Sequence, residues 1–179
     1  MDEQPLSQNE TGIQPTRASL SPLTTTIGSG FFSGYAPFAS GTVGSVVGLL
    51  FFLIPHFSNP VILIPATIIL FIVGGIAAGK METVYGNDPG VVTVDEIVGL
   101  WISLLFITVI PLWDKKHLLI LAFAFFVFRI LDILKPYPAN TFDKKSGGWN
   151  IMLDDVVAAI YTNIIIQIGI RFFVITQQA

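Results

Sequence analysis

The chain has 179 residues, 53% of them hydrophobic and only 12% charged, with a mean hydropathy of +0.74. Soluble domains are about one quarter charged, so this composition describes a membrane protein with room for one domain and roughly four to six spans. A net charge of −3 excludes a basic nucleic-acid binder, and the absence of cysteine excludes disulfides, thiolate metal sites and cysteine-phosphatase chemistry.

The polar N-terminal residues, with Pro5 and Pro15, lack the basic and apolar regions of a signal peptide. They read as a disordered tail over residues 1–22, followed by one membrane domain over 23–176. Between Arg17 and Lys80 there is no charged residue. This interval opens with "IGSGFFSGYAPFASGTVGSVVGLLFFLIP", whose first half is too rich in Gly, Ser and Pro for a regular lipid-facing helix. The helical part, Thr42 to Ile54, reaches only about 20 Å, short of the roughly 30 Å hydrocarbon core. A broken or re-entrant segment is expected there.

Residues 60–79 make a full-length span. A break over 80–96 precedes a shorter apolar helix over 97–110, which Pro111 closes. Further helices are expected over 118–134 and from about Ile151 to Val174. The fold class is therefore all-α, a polytopic bundle of about four to five membrane helices. Loops 80–96 and 135–155 are separated by two helices, so they face the same side. With every helix crossing, that side and the tail hold Arg17, Lys80, Lys135, Lys144 and Lys145, against Lys115, Lys116 and Arg171 opposite. The positive-inside rule puts the richer side in the cytoplasm.

Four constellations carry chemistry. "DPGVVTVDEIVG" supplies Asp88, Asp95 and Glu96, hard oxygen ligands of the kind Mg²⁺ prefers. Thr93 and Glu96 also have capping-box spacing, which is a purely structural use of the same residues. "RILDILKP" sets Arg129, Asp132 and Lys135 on roughly one helix face; an ion pair near the headgroups with Lys135 snorkelling is the plainer account. "GGWNIMLDDVVAA" puts Asp154 and Asp155 near the start of an apolar helix that Asn150 could cap. Adjacent residues point about 100° apart, and acids inside a membrane helix commonly line a functional cavity. Gly41, Thr42 and Ser45 open a helix whose amides and small residues suit phosphate, although close helix packing explains them equally well. His56 and His117 lie away from the acids and read as structural.

Carboxylates for a divalent cation, cations for phosphate and a small-residue loop together suggest metal-assisted hydrolysis of a phospholipid phosphate. The same groups could instead form a proton or cation pathway in a transporter, or persist in a non-catalytic subunit. The segments "PFASGTVGS", "DPGVVTVDEIVGLW" and "FRILDILKPYPANTFDKKSGGWNIMLDDVVAA" resemble the phosphatidylglycerophosphatase A family, in order, over about residues 25–170. The resemblance implies a multi-pass enzyme of the bacterial inner membrane. It implies Mg²⁺-dependent removal of the terminal phosphate of phosphatidylglycerophosphate; another lipid phosphate is the alternative substrate. The acids carried over are Asp95, Glu96, Asp132, Asp154 and Asp155, as catalytic and metal-binding residues, with Asp88 and Asp143 as weaker candidates. Arg129, Lys135, Gly41, Thr42 and Ser45 are the phosphate-binding candidates. Water is the simpler nucleophile; an aspartyl-phosphate intermediate is the other route. The family often has Pro where this chain has Ser40, and Gly where it has Ala159. The first difference is expected to loosen the loop, the second to alter a helix contact.

Overall fold

A computed structural model describes residues 19–107 and 115–178. The expected tail lies outside the described residues as far as residue 18, and so do 108–110, the end of the helix expected over 97–110, and Pro111. Every regular element among the described residues is helical. Helix α1 (Pro22–Gly28) starts where Ser21 Oγ accepts the Thr24 amide and Pro22 fills the first position, so the expected tail ends inside an ordered helix. A 3-10 turn (Ser33–Tyr35) leads to α2 (Ser40–Leu50) and a second 3-10 turn (Phe51–Leu53). Helix α3 (Pro60–Tyr85) uses the same start signal as α1: Asn59 Oδ1 accepts the Val61 amide ahead of Pro60. Helices α4 (Val94–Ser103), α5 (Lys115–Leu134), α6 (Ala139–Asp143) and α7 (Gly148–Gln178) complete the chain.

Among the described residues, three helices are long and apolar enough to cross a membrane: α3, α5 and α7. Their apolar windows are 33%, 17% and 44% buried respectively, so α7 is the most enclosed and α5 the most open. Helix α7 packs against α3, α4, α5 and α6. Two of the shorter helices, α2 and α4, pack on each other. Helix α2 is the expected short segment, and it starts two residues earlier than the sequence suggested because Ser40 and Gly41 already join it.

Helix α4 is almost wholly buried and ends at Ser103, well before residue 110. The stop is made by another helix. Asn163 of α7 donates its side-chain amide to the carbonyls of Ile102, Ser103 and Leu105, at 3.2, 3.1 and 2.8 Å. The Ile102 carbonyl also accepts the Leu105 amide at 3.1 Å, so Asn163 adds a side-chain donor at a helix end, where carbonyls lose their intrahelical partners. Gln167 then donates to Asn163 Oδ1. The core on this side gathers Leu63, Ile97, Leu100, Trp101, Leu104, Phe128 and Ile166.

The ends of the helices set the site. Helices α2 and α4 start at one end of the bundle, α3 and α5 finish there, and α7 starts there. Gly148 makes the last of these possible: a Cβ on it would overlap the backbone of Gly75 and Gly79 in α3. Glu82, near the end of α3, fixes the preceding turn by accepting the Gly147 amide on both oxygens, at 3.0 and 2.8 Å.

Candidate active site

A cavity of about 280 Å³ opens at this end. It is lined by Ser40 and Gly41 from the start of α2, the Asp88–Gly90 turn, Asp95 and Glu96 of α4, Arg129 and Asp132 of α5, Lys135, and Asp154 and Asp155 of α7, with Val92 and Ile133. The three charged motifs therefore meet, as their loop parity predicts. The first turns of α2 and α4 border the cavity, and their partial positive charge favours an anion there.

The internal pairing differs from the local spacing rules. Arg129 Nη1 bonds Glu96 Oε1 on α4 and lies 3.0 Å from Asp132 Oδ2 on its own helix. Glu96 is not part of a capping box. Its second oxygen accepts from Ser45 Oγ at 2.9 Å, so both are occupied. Thr93 sits at the N-cap position without a side-chain capping bond, and pairs with Ser33 Oγ at 2.9 Å instead. Asn150 lies within the first turn of α7 and donates to the Ser146 carbonyl, so it is not the cap.

Lys135 does not snorkel. It bonds Asp143, and Asp154 Oδ2 at 2.8 Å. Its φ of 45° is the left-handed conformation that ends α5, a place where glycine costs less. Burial disfavours its charge, but the bonds to Asp143 and Asp154 outweigh that and hold the ammonium above its ordinary pKa. Burial pushes the Asp88 carboxyl up, against the pull of Lys135. Asp143 is a Lys135 partner and is not among the lining residues.

Of the small residues, Gly41 lines the cavity; Thr42 and Ser45 do not, and Ser45 serves Glu96. Ser40 does not loosen the loop. Its hydroxyl donates to the Gly90 carbonyl at 2.7 Å and ties α2 to the opposite wall. Ala159 is fully buried. Glu82, which anchors the turn before α7, was not singled out from sequence; its partner is 65 residues away, and no local pattern marks it.

Four buried polar atoms in this cluster have no hydrogen-bond partner: Arg129 Nε, Asp95 Oδ1, Asp154 Oδ1 and Asp155 Oδ2. Leaving such groups unsatisfied costs about 1–3 kcal/mol each, more when charged, so each calls for a partner such as ordered water or a bound ion. One donor beside three acceptors suits an anion together with a cation.

Gly41 carries a sharp test. A Cβ there would overlap Glu96 Oε1 and come within 3.2 Å of Arg129 Nη1. The Gly41→Ala variant should lose at least about tenfold in kcat/KM, while overpacking costs about 1–3 kcal/mol of stability. Phosphate-release kinetics and thermal unfolding in detergent check the two halves.

Fold and cavity together describe an all-helical membrane protein with a cavity lined by both acidic and basic side chains at one end of its bundle. Comparison with known proteins narrows the class. The phosphatidylglycerophosphatase A family profile matches residues 26–170. A provisionally named phosphatidylinositol-3-phosphatase of Bacteroides thetaiotaomicron is 41% identical over 149 residues, covering 80% of this chain and 91% of that protein. The phosphatidylglycerophosphatase A of Escherichia coli is 34% identical over 148 residues, covering 81% and 79%. That of Haemophilus influenzae is 37% identical over 140 residues, covering 76% and 82%. No solved structure matches. The chain belongs to the phosphatidylglycerophosphatase A family and is a phosphatase. Membership sets aside the transport and non-catalytic readings of the same acids.

Proposed function

We propose that this phosphatase uses Mg²⁺ to hydrolyse phosphatidylglycerophosphate to phosphatidylglycerol and inorganic phosphate, with its cavity on the cytoplasmic face of a bacterial inner membrane. The observation that carries the reading is the set of partnerless buried atoms, an arginine N–H beside three carboxylate oxygens.

The donor set fits the metal: the oxygens are hard, and the groups have no cation of their own at those atoms. Among the described residues, no three acidic or histidine side chains are already gathered in ligating positions. Asp95, Asp154 and Asp155 are the residues that would hold Mg²⁺, with Asp132 beside them. Glu96 has both oxygens engaged, so in this reading it orients Arg129. Bound Mg²⁺ would supply positive charge against the phosphate oxygens and a lowered pKa for water.

The chain's own groups supply the rest. Arg129 and Lys135 hold the phosphate and favour the charge that builds on it in the transition state. Attack by water forms the new P–O bond as the glycerol P–O bond breaks. A nearby carboxylate takes the proton from water, and the departing glycerol oxygen takes one up. The first turns of α2 and α4 add positive potential.

A second substrate has an observation in its favour, because the Bacteroides relative with 41% identity carries a phosphoinositide name. The deciding experiment measures phosphate release by the purified protein from phosphatidylglycerophosphate and from phosphatidylinositol 3-phosphate in mixed micelles, each with Mg²⁺ and with EDTA. Mg²⁺-dependent release from the first lipid, at least tenfold faster than from the second, is expected. Reversed preference transfers the assignment to the phosphoinositide. Full activity in EDTA removes the metal.

A further inference from the structure

The cavity is too small for a whole phospholipid. Its 280 Å³ lies below the roughly 300–1,000 Å³ of sites that enclose a drug-sized ligand. A phosphate and its neighbouring carbons can enter; two acyl chains cannot. The chains must stay in the bilayer, so part of the cavity mouth has to be continuous with lipid-facing surface.

The mouth has two unlike rims. On one side the exposed turn of Asn87, Asp88 and Gly90 is polar. On the other, Ile133 both lines the cavity and is 70% exposed, and Leu134 beside it is also 70% exposed. They sit on α5, the least covered of the three long helices. Between these two sides lies the start of α2, held to Gly90 through the Ser40 hydroxyl and close to Arg129 of α5 at Gly41; Phe38, two residues before Ser40, is 85% exposed there. The other strongly apolar wall residue, Val92, is buried. Tyr35 and Tyr85 hydroxyls, 3.1 Å apart, tie the Phe38 segment to the end of α3. Aromatic side chains favour this interfacial depth.

We propose that the acyl chains of the substrate lie on the rim formed by Phe38, Ile133 and Leu134, so that the phosphate enters sideways from the bilayer between the start of α2 and the end of α5. The inference rests on the reading of the cavity as a lipid-phosphate site. A Cβ on Gly41 would come within 3.2 Å of Arg129 Nη1, and Ile133 follows Arg129 by about one helical turn on α5, so a headgroup entering between the two helices would meet the guanidinium.

Photolabelling of the full chain in phosphatidylcholine vesicles tests it. The probes are phosphatidylglycerophosphate with a diazirine in mid-chain and phosphatidylglycerol with the same chain. The phosphate-bearing probe should label peptides containing Phe38 and Ile133–Leu134 at least fivefold more than the other, and excess glycerol 3-phosphate should remove the difference. Equal labelling by both probes, or preferential labelling of α3 or α7, overturns the seat. Phe38→Ser and Ile133→Ser should each raise KM for the long-chain lipid about tenfold with kcat within twofold; a fall in kcat alone also counts against it. Rim labelling by a protein that releases no phosphate keeps the seat and removes the substrate assignment. Release with labelling elsewhere does the reverse.

Discussion

Asp155→Asn is expected to lower phosphate release at least about 100-fold while making the protein harder to unfold. Asp155 is 3% exposed, its Oδ2 has no partner, and it lies in the field of Asp132, Glu96 and Asp95. Crowding like charges in a buried place is costly; Lys135 bonds Asp143 and Asp154 rather than Asp155, and Arg129, the cation that does act on Asp155, is bonded to Glu96 and Asp132. Asparagine keeps the shape and removes one charge, so the bundle should gain on the order of 1 kcal/mol. A purely structural carboxylate behaves the other way, because its removal breaks the pairing that justified it. The check is helical circular dichroism on heating in detergent, alongside phosphate release. Retention of more than a tenth of the activity would remove Asp155 from the catalytic set.

The second large effect belongs to Arg129. Its side chain is 16% exposed, and those of its partners Glu96 and Asp132 are 9% and 13% exposed. Arg129→Gln strands two carboxylates without their cation and should cost about 3–5 kcal/mol. It should also abolish turnover, since the partnerless Nε is lost with the guanidinium. The double variant Arg129→Gln with Glu96→Gln separates the two roles. Removing both members of a buried pair together should restore most of the stability, yet turnover should stay lost. A double variant as unstable as the single one would show that the pair is not what holds α4 to α5. Restored turnover would show that Arg129 does not hold the phosphate.

Much of this arrangement was legible in the sequence. Helix parity brought 80–96 and 135–155 to one end, and the paired acids, the Arg-x-x-Asp-x-x-Lys run and the glycine-rich segment stood out against apolar surroundings. The pairing within the site was not legible. Spacing suggested that Glu96 reaches back three residues to its own cap, whereas it bonds Ser45 and Arg129, which are 51 and 33 residues distant. Lys135 at a helix end suggested snorkelling, whereas it reaches Asp154 on another helix. Local rules report only what a helix offers itself, and a better partner across the bundle overrides them. The length of α4 was hidden for the same reason: its end is written in Asn163, some 60 residues later.

That last contact bears on how the protein is made. Helix α7 is synthesised after every other helix described, and it brings Asn163 together with Asp154 and Asp155. Until it leaves the ribosome, a nascent chain holds α4 without the Asn163 amide on its Ser103 carbonyl, and Arg129 near an incomplete acidic set. Helix α4 packs against α7 as well as α2, α3 and α5, so its packing is completed only when α7 docks. The cavity therefore gains its last two charged wall residues only when α7 docks, in the same step that brings Asn163 to the end of α4.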